Sequence, residues 1–106
     1  MAYDTRGAKG HLRETLADLD DNGQLGDWCF FSEKDKPDRN YIMIRCPDGN
    51  ANSRGSVTAW RLRAVPDPND DDWQWDGNRE APTLTPSLHW VGVWHGWMRA
   101  GELVSA

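Results

Sequence analysis

Residues 41–64 read YIMIRCPDGNANSRGSVTAWRLRA, and their pattern sets the class of fold. In Tyr41–Cys46, Ile42, Ile44 and Cys46 fall on one side of an extended chain, because side chains alternate along a strand. In Val57–Ala64, Trp60 and Leu62 share one face while Arg61 and Arg63 share the other. Between them lies a Pro, Asp-Gly and Asn-rich connection, so the two runs predict a β-hairpin with a long loop.

Strand signals continue outward in both directions. Asp27–Ser32 (DWCFFS) is an aromatic run that predicts a buried strand. Residues 33–40 are charged and contain Pro37, which reads as a loop. Residues 65–72 (VPDPNDDD) read as an acidic surface loop, and Trp73 and Trp75 project to one side of a short strand. Asp76-Gly77-Asn78 is a turn signal. The two prolines of APTLTPS confine residues 81–87 to edge or irregular structure. Leu88–Val93 and Trp94–Arg99 are β-type runs, and Ala100-Gly101 marks a tight return into Glu102–Val104.

Ahead of these strands, Leu12, Leu16 and Leu19 recur at helical spacing, and Asn22-Gly23 supplies a stop. The expected organisation is one domain over residues 1–106: a loose lead-in over 1–10, a short amphipathic helix over 11–22, and a β-rich body over 26–106. The fold class is α+β, mainly antiparallel sheet around a tryptophan-rich core. Seven Trp residues offset a hydrophobic fraction of only 38%, since each indole buries ~150–250 Å². The acidic C-terminal end of the helix opposes its dipole.

The net charge is −5. An acidic balance disfavours binding to phosphate backbones, which needs clustered Lys and Arg. Arg45, Arg61 and Arg63 with the Trp rings offer a single-strand-binding face as an alternative function. The arginines are outnumbered, so no nucleic-acid partner is expected. No apolar run reaches the ~20 residues of a membrane span, and MAYDTRGAKG does not resemble a signal peptide. No membrane association and a cytoplasmic location are expected.

Residues 73–103, WQWDGNREAPTLTPSLHWVGVWHGWMRAGEL, carry three motifs: W-x-W-[DN]-G, P-T-L-x-P-S and W-H-G-W. They resemble a family of small phage- and prophage-encoded domains of unknown function. GDWCFF at 26–31 and IRCPDG at 44–49 resemble the same family, whose pattern there is an aromatic strand followed by C-P-C-G-C. The resemblance implies a structural zinc held by cysteines and the W-H-G histidine, donors that suit zinc. Cys46 and His95 match. Asp48 stands at the second cysteine position and Asn50 at the third, Gly92 where a ligand often precedes W-H-G, and Ala106 where a terminal Cys is expected. The metal set would be Cys46, Asp48 and His95, joined by His89 or water. His89 and His95 have the same strand parity, but six residues span ~20 Å if straight, so a turn at Gly92 is needed to unite them. The favoured alternative makes Cys46 a buried hydrophobe and His95 a hydrogen-bonded core residue, with no cofactor.

Other chemistry is sparse. DLDDNG at 18–23 matches the first half of a calcium loop, but the twelfth position is Cys29 rather than the bidentate Glu. His95 as base and Cys29 or Cys46 as nucleophile is the available catalytic pair, yet a thiol in an aromatic run is expected to be unreactive. There is no G-x-S-x-G and no Gly-rich phosphate loop. The functional expectation is a non-catalytic phage accessory protein that binds a host or phage protein, as an acidic inhibitor of a host defence component. Its contact residues would be Asp70, Asp71 and Asp72 with Trp90, Trp94 and Trp97. A metal-stabilised domain with a residual metal-dependent role is the other alternative.

Overall fold

The structure is a computed structural model that describes residues 7–33, 36–47, 57–63, 73–90 and 94–106. Its elements are β1 (Ala8–Lys9), α1 (Leu16–Asn22), β2 (Trp28–Glu33), β3 (Lys36–Arg45), β4 (Val57–Arg63), β5 (Trp73–Trp75), β6 (Leu84–Thr85), β7 (Leu88–Trp90), β8 (Trp94–Arg99) and β9 (Glu102–Ser105). They form two sheets, one ordered β2-β3-β4-β5-β6 and the other β1-β9-β8-β7. All pairings are antiparallel except β4 with β5. The α+β class with a tryptophan-rich core is therefore what the chain adopts.

The alternation in residues 41–46 and 57–63 is realised as read. Ile42, Ile44 and Cys46 are fully buried, and β4 adds Trp60 and Leu62 to the same core. The second sheet contributes Leu88, Trp90, Trp94, Met98 and Leu103, so one cluster lies between both sheets. Four indoles cross it in series. Trp73 meets Trp60 at 4.9 Å, Trp60 meets Trp90 at 5.1 Å, and Trp90 meets Trp94 at 5.8 Å, all edge to face. Edge-to-face pairs stabilise by about 0.5–1.5 kcal/mol beyond area burial. Most indole N–H groups reach a partner. Trp28 donates to the Arg79 carbonyl at 3.0 Å, and Trp90 donates to Thr58 Oγ1 at 2.8 Å.

The turns follow their local chemistry. Asp76 Oδ1 accepts from the Asn78 and Thr83 amides, and Gly77 has φ 86°. β6 lies at the edge of its sheet, as the flanking prolines require. Ala100 and Gly101 have φ 50° and 78°. Positive φ at both central positions is a type I′ turn, whose twist matches a hairpin.

Four expectations need correction. Residues 33–40 are not a loop throughout: Glu33 ends β2 and residues 36–40 form the first half of β3, where sheet pairing of Asn40 with Ser32 and Leu62 overrides the local charge and Pro37. The helix does not run over 11–22. It starts at Leu16, with Thr15 as N-cap accepting from the Asp18 amide at 3.0 Å. The preceding residues are taken instead by β2: the Arg13 amide donates to the Trp28 carbonyl, the Trp28 amide donates to His11, and Leu12 bridges to Trp28. Asp27 secures this segment. Its buried carboxylate accepts from the His11 and Gln24 amides and from Arg13 Nε, at 2.8, 2.9 and 2.9 Å. The lead-in over 1–10 is not loose throughout, because Ala8 and Lys9 pair with Leu103 and Glu102 of β9. The aromatic run of β2 is not wholly buried either: Phe31 is 49% exposed, on the opposite face from Trp28. The helix C-terminus is compensated from afar, since Arg45 of β3 donates to the Leu19 and Asp20 carbonyls at 2.7 and 3.0 Å.

Candidate active site

Ser87 sits on the short connection between β6 and β7, the two strands that end their respective sheets. Leu84 and Leu88 on either side are buried in the core, which pins the connection. The Ser87 carbonyl also accepts a hydrogen bond from Trp73 Nε1 at 3.2 Å. The backbone of Ser87 is therefore held from two directions.

The β7–β8 hairpin then delivers a histidine to the hydroxyl. Its register pairs Leu88 with Gly96, His89 with His95 and Trp90 with Trp94. Alternation turns Trp94, Gly96 and Met98 inward and leaves His95, Trp97 and Arg99 facing out. Ser87 lies one step beyond the paired ladder, diagonal to His95. Ser87 Oγ and His95 Nε2 are 3.0 Å apart. The His95 carbonyl accepts from the Ala106 amide, so its backbone faces β9. The His89–His95 pair is then of the narrow kind, which brings side chains close. Their ring centroids are 4.9 Å apart. The antiparallel pairing of β7 with β8 thus brings the two histidines together, and residues 91–93, with Gly92, lie outside the described set.

Chemically, a hydroxyl against a histidine ring nitrogen is a nucleophile next to a general base. Nε2 faces the hydroxyl, the same nitrogen that faces the serine in Ser-His-Asp triads. Among the described residues, Ser87 is the one hydrogen-bond partner of the His95 ring. Trp97 flanks it at 6.2 Å, and the Arg99 guanidinium lies 5.0 Å over Trp97.

The residues expected to form sites are distributed differently. Cys46 is fully buried beside β3 of the five-stranded sheet, while His95 belongs to the other sheet. Asp48, Asn50 and Gly92 lie outside the described residues, as do Asp70, Asp71 and Asp72. Among the described residues, no three His, Cys, Asp or Glu side chains gather as a metal site. Trp90 and Trp94 are 7% and 0% exposed. Their edge-to-face packing takes them into the core and away from the contact surface expected of them. Trp97 alone of that trio is partly open. Asp18 of the calcium-like stretch accepts from Asn22 and approaches Arg13. Burial, and next the charge of Asp20, pushes the Cys29 thiol pKa up, which suits an inert core thiol.

Ser87 was missed because nothing within a few residues of it announces a nucleophile. The available signal was the hairpin itself. Once residues 88–90 pair antiparallel with residues 94–96, Ser87 emerges beside His95 and Trp97.

Residues 16–106 match the model of a family described as the bacterial ubiquitination-like system serine protease, BubE. No curated protein and no solved structure matches the chain. The family match overturns the expectation of a non-catalytic phage accessory protein acting as an anti-defence inhibitor. The family description names a protease, rather than a metal-dependent domain or a single-strand binder. Charge balance and Trp content misled because they describe solubility and core composition. Among the described residues no helix is long and apolar enough to cross a membrane.

Proposed function

The chain belongs to the BubE family of bacterial ubiquitination-like system serine proteases, and on that premise we propose that Ser87 is its nucleophile and His95 its general base. The observation that carries this reading is the 3.0 Å contact between Ser87 Oγ and His95 Nε2. It joins the residue type named by the family to a base, on a sheet edge that an extended substrate can approach. The substrate is a protein of a ubiquitination-like system, and the bond cleaved is an acyl linkage such as an amide.

The residues account for each proton. His95 Nε2 takes the hydroxyl proton as Ser87 Oγ bonds to the substrate carbonyl carbon. The tetrahedral species collapses, the carbon–nitrogen bond breaks, and His95 passes the proton to the departing amine. Ser87 then holds the acyl group as an ester. Water attacks that ester, gives a proton to His95, and the Ser87 oxygen leaves with that proton restored. Trp73 contributes by fixing the Ser87 carbonyl, which limits the directions the hydroxyl takes.

A fluorophosphonate probe tests the reading directly, because it reacts with activated serine hydroxyls. Labelling is expected at Ser87 and lost in Ser87→Ala and His95→Gln. Hydrolysis of the modifier-derived substrate is expected to fall by on the order of 10⁴-fold or more in either variant. Equal labelling of the wild type and Ser87→Ala would defeat the assignment.

A further inference from the structure

The outward face of the four-stranded sheet carries, in line with His95, two side chains that proton transfer between Ser87 and His95 does not use. His95, Trp97 and Arg99 share that face at every second residue of β8. An extended chain repeats its same-face side chains every ~6.7 Å. Trp97 is therefore one repeat from the general base and Arg99 two, about 13 Å along the strand. An extended peptide laid along β8 has the same repeat.

Charge supports one class of occupant. At the far end of that line, Lys9 pairs with Glu102 and Glu102 pairs with Arg99 across β1, β9 and β8. That row holds two cations and one anion, in a chain whose net charge is −5. Among the described residues, none of the three makes an ion pair. The Arg99 guanidinium leans over the Trp97 ring. Stacking occupies the face of a guanidinium and leaves its edge N–H groups able to meet a carboxylate.

We infer that Trp97 and Arg99 form a substrate subsite for an extended, acidic peptide, an inference that rests on Ser87 and His95 being the proteolytic pair. The side chain two residues from the scissile bond lies on the Trp97 ring. The side chain four residues away is Asp or Glu and meets Arg99. Glu102 tempers that preference from the neighbouring strand.

The test is cleavage profiling of a mixed peptide library, read by mass spectrometry, with the full chain. Wild-type cleavage sites should be enriched in Asp or Glu four residues from the cut bond, by about fivefold, the equivalent of an exposed charge pair. Arg99→Glu should reverse the enrichment toward Lys and Arg, and Glu102→Gln should increase it. Binding without turnover gives a second reading: in Ser87→Ala protein, an acidic peptide should perturb tryptophan fluorescence more than its amide counterpart, and less so in Ser87→Ala with Trp97→Phe. Unchanged enrichment in Arg99→Glu, or equal binding of the acidic and amide peptides, overturns the subsite and leaves the proteolytic pair standing. A library left uncut by the wild type, together with acidic-selective binding, removes the proteolytic reading while the acidic-peptide surface survives.

Discussion

His89 and His95 stand directly opposite each other on β7 and β8, with ring centroids 4.9 Å apart and planes inclined at 44°. Ser87 Oγ approaches the same His95 imidazole at 3.0 Å. His89 thus limits the rotation of the His95 ring, the proposed general base. His89→Ala should lower kcat by about two- to tenfold, the equivalent of one ring contact, with KM little changed. His89→Phe should restore most of the loss. Steady-state kinetics on the two variants decide this, and a purely KM effect would assign His89 to substrate binding instead.

The type I′ turn carries an avoidable strain. Ala100 has φ 50°, a region that costs an L-residue roughly 1 kcal/mol. Ala100→Gly or Ala100→Asn should raise stability by about 0.5–1 kcal/mol. Gly101→Ala should do the opposite, because φ is 78° and an added Cβ would lie 3.0 Å from the Trp28 ring. Thermal melts should place the two variants on opposite sides of the wild type, separated by several degrees, on the order of 4–8 °C per kcal/mol.

Asp27 is the hinge of the N-terminal arrangement. It is fully buried and accepts from two backbone amides and Arg13 Nε. Asp27→Asn keeps the shape but must aim an amide N–H at one of those donors. The expected loss is about 3 kcal/mol, measured by urea denaturation. A loss below about 0.5 kcal/mol, the size of an ordinary surface substitution, would show that the segment is held by its backbone pairing alone.

Cys29 gives the pH dependence. Burial, and next Asp20, raise its folded-state pKa. Below the ordinary thiol value of about 8.5, both folded and unfolded chains keep the proton and the stabilising contribution is complete. As pH rises past that value, the unfolded chain loses the proton first, so stability falls until the raised folded pKa is passed. The drop in melting temperature between pH 8 and pH 10 should be smaller in Cys29→Ala than in the wild type. In the folded protein at pH 8, a maleimide should leave Cys29 unmodified.

Much of the architecture was legible along the chain. The period-two pattern of Ile42, Ile44 and Cys46 and of Trp60 and Leu62 placed two strands and their inner faces. Asp76-Gly77-Asn78 and Ala100-Gly101 placed two turns. The helix boundary was not legible, because Leu12 has helical spacing from Leu16 yet bridges to Trp28. A strand edge with unpaired backbone groups competed for residues 11–13 and won. The site was legible only in its histidines. His95 stood out, but its partner was sought among cysteines, and both of those are buried, with burial also raising the Cys29 thiol pKa.

Hydrophobic alternation and turn chemistry act over a few residues, so the amino-acid order alone settled most sheet-forming segments, their buried faces and the tryptophan-rich interior, but not the polar first half of β3. Which hydroxyl meets His95, which indoles stay open and which arginine closes the helix depend on strand register and on how two sheets stack. Those contacts join residues from 8 to 32 positions apart, as Ser87 with His95, Arg45 with Leu19 and Trp90 with Thr58. No local preference encodes such a distance, and only the packed core sets it.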